Sequence, residues 1–181
     1  MIALHLPDLK DFMHLFLRSD LFDRFLLPEA TITTYVTHKI DGHLHADFFE
    51  DEKGGETLTP ADRQAGTDAS SLTAQATIAP YSMLRPFCYE LMKGKRSPLS
   101  FQFLFQLSPE NQERTILRSG SSFAPSDVSA LFLRLTYQGG QLRCTTGIAY
   151  QSFSLDKSLE EEWDRLVPRF FRNHGISCEL L

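Results

Sequence analysis

The sequence predicts an α+β fold: a single domain in which an antiparallel sheet, built from two hairpins and a central strand, carries helices mainly on one face. Two β-rich stretches interrupted by glycine-containing turn dipeptides predict the hairpins. Between them, a stretch that alternates between apolar and mostly polar residues predicts the central strand. Segments with apolar residues at helical spacing flank these strands, without the regular strand–helix alternation of a parallel sheet.

Composition and charge bound the class of protein and its partners. The chain has 181 residues, of which 42% are hydrophobic and 23% charged, and these values are ordinary for one soluble globular domain. The net charge of −5 disfavours nucleic acid and anionic lipid as partners. Cys88, Cys144 and Cys178 are widely separated, which fits a reducing cytoplasm. No segment resembles a signal peptide or a membrane span, so we expect a cytoplasmic protein.

The first part of the chain is predicted to fold as a short strand followed by helices. Residues 2–6 form the strand, and Asp8 begins the first helix as its N-cap. Helical spacing then relates the apolar residues Leu9, Phe12, Met13, Phe16 and Leu17. A shorter helical piece over residues 22–26 is expected to end before Pro28, because the residue before a proline disfavours the α conformation.

The first hairpin is predicted to turn at Asp41-Gly42, a dipeptide that readily adopts the positive φ angles of a two-residue turn. Its strands are residues 31–40, which are rich in β-branched side chains, and residues 43–49. From about residue 51 to residue 79 no apolar period survives. This segment is predicted to be a flexible insertion within the single domain 1–181.

A helix, the central strand and a second short helix are predicted after the insertion. Ser82 is the expected N-cap of the helix, which ends near Gly94. Its predicted buried face consists of Leu84, Phe87, Cys88 and Leu91. Residues 99–107 form the central strand, and its phenylalanines lie on the apolar row, where packing in a core is favoured over a base-stacking platform. Ser108 and Pro109 then begin the short helix.

A second hairpin and a last helix complete the predicted fold. Residues 131–137 and 142–153 pair through Gly139-Gly140, so that Leu135 faces Cys144 and Leu133 faces Thr146. Ser158 and Glu161 are expected to form a capping box for the last helix. Its apolar stripe is Leu159, Trp163, Leu166, Val167, Phe170 and Phe171.

Six short stretches of the sequence form a recognisable set: SDLFDRF at 19–25, EATIT at 29–33, IDG at 40–42, KGKRSPLSF at 93–101, LSPEN at 107–111 and CTTG at 144–147. Together they resemble an uncharacterised bacterial family from clostridia-like Firmicutes. The resemblance spans most of the chain outside residues 51–79. It implies a bacterial cytoplasmic protein of unknown function, because no activity and no catalytic residue are assigned to that family.

Four cations form the first candidate site. Lys95 and Arg96 lie between a predicted helix end and the central strand, and Arg134 and Arg143 lie on the polar face of the second hairpin. If the strands adjoin, the four could frame an anion site on the uncovered face of the sheet, with arginine binding phosphate or carboxylate in bidentate fashion. The alternative is a basic loop that keeps the surface soluble, with Lys93 complementing the helix end.

Three histidines form the second candidate site. A turn at Asp41-Gly42 would place His38 opposite His45, with His43 on the same face and Asp47 extending the row. Imidazoles in this arrangement could coordinate zinc, the one cofactor that the sequence suggests. The alternative is a solvated hairpin face.

The functional hypotheses follow from these two sites. The sequence contains no phosphate-binding loop, dinucleotide-binding turn or nucleophile elbow, which favours a non-enzymatic binding or interaction module. Its partner would be an anionic ligand or an acidic protein segment. The alternative function is a metal-dependent hydrolase that uses the three histidines.

Overall fold

The structure is a computed structural model, which describes residues 1–45, 48 and 77–181. These residues form four α-helices and seven strands, and none of the helices is long and apolar enough to cross a membrane. In chain order the elements are β1 (Ala3–His5), α1 (Leu9–Arg18), β2 (Phe25–Thr33), β3 (Thr37–Asp41), α2 (Tyr81–Met92), β4 (Ser100–Leu107), α3 (Pro109–Ser119), β5 (Val128–Gln138), β6 (Gln141–Tyr150), α4 (Ser158–Asn173) and β7 (Glu179–Leu180).

The strands form one sheet in the order β3-β2-β4-β5-β6-β1-β7. Every neighbouring pair is antiparallel. All four helices contribute side chains to one buried cluster with the inward-facing residues of the strands. This arrangement confirms the predicted α+β class, in which β4 is the central strand between the β2–β3 and β5–β6 hairpins.

Aromatic side chains join the central strand to the first two helices. Phe101, Phe103 and Phe105 of β4 are buried, and the side chains between them are half-buried, which confirms the predicted period of two. The ring of Phe16 on α1 lies 4.9 Å from that of Phe103, and the ring of Tyr81 on α2 lies 5.1 Å from that of Phe105. These contacts fix α1 and α2 on one face of the sheet.

The β5–β6 hairpin has the predicted register. Leu135 faces Cys144, and Leu133 faces Thr146. The turn glycines 139–140 have φ angles of 58° and 80°, a conformation that favours residues without a Cβ. The leucines are buried, and Arg134 and Arg143, which alternate with buried residues along their strands, are exposed, as predicted.

The chain after α1 differs from the prediction. Residues 22–26 do not form a helical piece, because Phe25 already begins β2 and pairs with Leu107 of β4. Pro28 lies inside the strand, where the register of β2 shifts against β4 and a missing N–H is tolerated. The irregularity interrupts the alternation of buried residues, and this explains why the pattern did not indicate a strand.

The first hairpin turns at residues 34–36, not at Asp41-Gly42. Thr33 pairs with Thr37 across this turn, so residues 31–40 contain parts of two strands and not one. Residues 43–45 are not a return strand, and only His43 forms an isolated bridge there. The rest of the predicted return strand, apart from residue 48, lies outside the described residues.

Gly42 therefore has a different role from the predicted one. Its N–H donates to the carbonyl of Pro28 at 2.9 Å, and its carbonyl accepts the N–H of Ala79 at 2.8 Å. A Cβ at this position would overlap the carbonyl oxygen of Leu27. Glycine is required because backbone segments approach closely here, and not because of a turn.

The predicted insertion over residues 51–79 lies almost wholly outside the described residues. Only residues 77–79 are described, and they are tied to the sheet. Thr77 accepts the N–H of Leu44 at 3.0 Å, and Ala79 is buried and accepts the N–H of Leu27 at 3.0 Å. The chain therefore enters α2 from a segment that is hydrogen-bonded to β2.

Helix α2 is rotated relative to the prediction. Pro80 and not Ser82 occupies the N-cap position, and the buried residues are Tyr81, Cys88 and Met92. Phe87, which was predicted to be buried, is 65% exposed. Burial of the large Tyr81 side chain at the start of the helix sets its rotation and turns Phe87 towards solvent.

Helix α4 has the predicted buried stripe but a different cap. Ser158 and Glu161 do not form the capping box, since Asp156 accepts both the N–H and the hydroxyl of Ser158. The other oxygen of Asp156 accepts the N–H and the hydroxyl of Ser122. These hydrogen bonds hold the pKa of Asp156 well below its ordinary value. The carboxylate thereby connects the segment before β5 to the start of α4.

An ion pair with little exposure joins the end of α1 to α2. Arg85 donates to the carboxylate of Asp23 at 3.0 Å and to the carbonyl of Ser19 at 2.7 Å. The Asp23 side chain is 18% exposed. Burial raises the pKa of this carboxyl, and the Arg85 guanidinium opposes the rise. The pair therefore keeps a poorly solvated carboxylate charged.

We predict that Gly42→Ala destabilises the protein by at least about 2 kcal/mol, because the added Cβ overlaps backbone and not a mobile side chain. The measurement is the free energy of unfolding in urea. Gly139→Ala is the matched control: its φ of 58° is unfavourable, but nothing lies within 4 Å of its Cβ, so it costs about 1 kcal/mol. An equal or smaller cost at position 42 would contradict the proposed close approach.

We predict that Arg85→Met lowers the free energy of unfolding by about 2 kcal/mol at pH 7, because Asp23 loses its partner. Without the guanidinium the pKa of Asp23 rises further above that of the unfolded chain, so the folded state binds a proton at higher pH. The deficit should therefore shrink as the pH falls from 7 towards 4.

Urea unfolding of the parent and the variant across this pH range measures the effect. The control is the same substitution in an Asp23→Asn background, where the pH dependence of the deficit should vanish. A deficit that is constant with pH would mean that Asp23 is not the group exposed by the substitution.

Candidate functional site

A groove runs between α1 and the segment that connects α2 to β4. Its volume is about 510 Å³, within the range of about 300–1,000 Å³ that is usual for ligand sites. Its lining residues are Leu9, Lys10, Met13, His14, Leu17, Arg18, Tyr89, Met92, Lys93, Gly94, Lys95, Arg96, Ser97, Pro98, Phe101 and Tyr137. We refer to it as the α1–α2 groove.

The first wall of the groove is one side of α1. Residues 12 and 16 of this helix are buried in the aromatic core, and this burial sets its rotation. An apolar stripe follows around the helix axis, consisting of Leu9, Met13 and Leu17. A polar stripe follows next, consisting of Lys10, His14 and Arg18. Each stripe recurs every four residues, so each is continuous along the helix.

The second wall is the end of α2 and the loop over residues 93–98. Lys95 and Arg96 are exposed, whereas Pro98 at the end of the loop is buried. The N–H of Leu99 donates to the carbonyl of Thr33 at 2.8 Å. The loop is therefore anchored to the sheet where it enters β4, and the two cations lie at the mouth of the groove.

The floor is apolar and aromatic. The rings of Phe101 and Tyr137 stack with centroids 5.1 Å apart, and the ring of Phe16 is nearly parallel to that of Phe101 with centroids 6.4 Å apart. Met92 is 6% exposed and closes the floor on the side of α2. These residues belong to the core cluster, so the floor is as rigid as the core.

Positive charge dominates the groove. Five lysines and arginines line it, and no aspartate or glutamate is among its described lining residues. Lys93 pairs with Glu90 at 2.5 Å, and the Arg18 guanidinium lies 5.7 Å from the centroid of the Tyr89 ring. Within the described part of the chain, the other three groove cations have no acidic partner within 4.0 Å: Lys10, Lys95 and Arg96.

The structure separates the four predicted anion-binding cations into two pairs. Lys95 and Arg96 line the groove on the helix-covered side of the sheet. Arg134 and Arg143 are exposed on the opposite, uncovered face, where Arg143 donates to Gln141 at 2.6 Å. The hairpin register placed these two arginines correctly, but the 93–98 loop lies on the other side of the sheet.

The three predicted metal-binding histidines do not share one row. His38 faces Ile32 inside the β2–β3 hairpin, and His43 lies beyond the hairpin, with its ring bonded to Asp41 at 2.5 Å. This hydrogen bond lowers the pKa of Asp41. The turn that would align His38 with His45 is absent, and Asp47 lies outside the described residues. Among the residues that the structure describes, no group of three histidines, cysteines or acids could hold a metal ion.

The cysteine thiols are apolar parts of the structure. Cys144 is fully buried, as predicted, and burial raises the pKa of its thiol well above the ordinary range. Burial also raises the pKa of Cys88 to about 12. A thiol that stays protonated is a poor nucleophile, so neither cysteine adds reactivity to the groove.

The cationic stripe of the first wall has a visible period in the sequence. Lys10, His14 and Arg18 recur every four residues beside the predicted apolar stripe. That spacing places them on one side of a helix. What it does not reveal is that this side faces the 93–98 loop, because the contact depends on how α1 and α2 pack on β4.

Comparison with known proteins adds family membership and no activity. No curated protein and no solved structure matches the chain. The sequence model of a family of unknown function, DUF5721, matches residues 14–179, which include every groove cation except Lys10. The match confirms the resemblance to an uncharacterised family. The chain belongs to DUF5721, a family of unknown function.

Proposed function

We propose that this protein is a cytoplasmic binding module that holds an anionic small molecule in the α1–α2 groove. One observation carries the proposal: five cations and no described acid line a single groove, in a chain whose net charge is −5. Cations gathered against the overall charge create a local positive potential. The three cysteines are all free, which supports a reducing compartment.

The donors suit a ligand that carries more than one negative oxygen. Arg96 offers a planar fork of N–H groups that binds phosphate or carboxylate in bidentate fashion, and Lys10 and Lys95 act as mobile point charges. They come from both walls of the groove. A ligand that reaches both walls would therefore be attracted from two sides, which favours a phosphate or diphosphate over a halide-like ion.

Binding and not catalysis is proposed because the described lining supplies recognition groups. It combines cations with apolar and aromatic side chains, and it includes neither a carboxylate nor a thiol. The ring of His14 and the hydroxyls of Tyr89 and Tyr137 are hydrogen-bond donors that suit an anion. The groove thus combines a cationic rim with an apolar floor, which suits the binding of an anion.

We predict that sodium pyrophosphate binds the parent protein and raises its melting temperature, and that added salt weakens the binding. Lys95→Gln/Arg96→Gln should weaken the affinity at least about tenfold, because charge-assisted hydrogen bonds each contribute about 1.5–3 kcal/mol. Isothermal titration calorimetry at fixed ionic strength measures both constants.

The matched control is Arg134→Gln/Arg143→Gln, which removes the same charge from the uncovered face. This variant should bind pyrophosphate like the parent. The opposite pattern would place the anion site on the uncovered face, and equal losses in both variants would indicate an unspecific effect of net charge. Absence of pyrophosphate binding to the parent would refute the proposal.

A further inference from the structure

The groove places an apolar stripe and a cationic stripe side by side on α1. We infer that its ligand is a free, single-chain amphiphile, with an aliphatic chain on the apolar stripe and an anionic head group among the cations. The inference rests on the proposed function, since it names the class of anion that the same groove would hold. It is argued from the apolar side chains of the groove, which do not bind the anionic group itself.

The two stripes follow from the rotation of α1. Residues 12 and 16 point into the core. The residues one position after them lie about 100° round the helix, at the edge of the core, and the residues two positions after them lie about 200° round, on the solvent side. Leu9, Met13 and Leu17 are half-buried at that edge. Lys10, His14 and Arg18 are exposed above them. An amphiphile that lies across the two stripes would place its head group on the exposed cations and its chain on the half-buried apolar side chains.

The opposite side of the groove continues the same division. Met92 is buried at the floor, and Lys95 and Arg96 are exposed at the mouth. Two methionines, Met13 and Met92, face the groove, and their unbranched thioether side chains adapt to flexible apolar partners. The charged groups lie outside and the apolar groups inside, which is the order in which a head group and a chain would enter.

The aromatic rings argue for an aliphatic chain over a planar ring. Phe101 is 3% exposed and Tyr137 is 9% exposed, so neither ring of the floor offers a free face to a ligand. The Arg18 guanidinium lies over the ring of Tyr89 and donates to its hydroxyl at 3.3 Å. The half-buried leucine and methionine side chains of α1 are therefore the apolar surface that a ligand chain would contact, and the buried rings of the floor are not available for a nucleotide base to stack on.

The test is a titration calorimetry series with methyl, butyl and octyl phosphate, all below their micelle concentrations. Each fully buried methylene contributes about 0.8 kcal/mol, or about fourfold in affinity. The groove is open on one side, so we expect octyl phosphate to bind at least about tenfold more tightly than butyl phosphate. Pyrophosphate serves as the probe that has charge and no chain.

Met13→Gln tests the apolar stripe directly. It should remove most of the gain with chain length and weaken octyl phosphate binding far more than pyrophosphate binding. Leu117→Gln is the matched control: it replaces a 69% exposed apolar side chain on α3, outside the groove, and should change neither. Urea unfolding of both variants verifies that they fold.

The outcomes separate the inference from the proposed function. Affinity that does not change with chain length, together with retained pyrophosphate binding, overturns the amphiphile and leaves the anion site intact. Tighter binding of adenosine monophosphate than of octyl phosphate overturns it in favour of a planar ligand. Preferential association with vesicles of anionic phospholipid overturns the free ligand in favour of a membrane surface. If pyrophosphate also fails to bind, both proposals fall.

Discussion

The packing of phenylalanine rings between β4 and α1 is the interaction on which the rest of the structure depends. Phe16 lies within 6.4 Å of all three phenylalanines of β4, in stacked and edge-on arrangements. Each ring buries a large apolar surface, and the offset geometries add to the gain. The side chains are rigid and large, so few rotations of α1 would accommodate them. The groove inherits its geometry from this constraint: with Phe16 fixed, the cationic stripe of α1 is held opposite the 93–98 loop.

The sequence indicated those parts of the fold that depend on local periodicity. The β5–β6 register could be predicted because the turn glycines and the alternation of leucine with arginine agree on one pairing. The β2–β3 hairpin could not, because Gly42 is needed for a close backbone approach to Leu27, which is distant in sequence. In the sequence, a glycine that is required by such a long-range contact cannot be distinguished from a glycine that is required by a turn. Similarly, the irregularity around Pro28 concealed the start of β2.

The candidate site was predictable to the same extent. Lys95 and Arg96 were identified because a short basic loop is visible in the sequence, and their position in a groove came from the structure. The partners on α1 carried a four-residue period, but the period alone does not say what a helix face meets. The pairing with Arg134 and Arg143 failed because strand register determines which face a residue occupies and not where a loop lies. Periodicity within one strand or helix could be read from the sequence, whereas the side of the sheet on which a loop lies could not.

The position of β1 has a consequence for how the protein folds during synthesis. The neighbours of β1 are β6 and β7, with Ala3 opposite Thr145 and Leu4 opposite Leu180, so β1 is translated long before its partners. The β5–β6 hairpin closes through a short turn, so its two strands can pair as soon as both have left the ribosome. Until β6 has been synthesised, the backbone N–H and C=O groups of β1 lack their strand partners. Pairings between such distant segments are slow because the loop entropy is lost before the contact is gained, so this end of the sheet is expected to form after the β5–β6 hairpin.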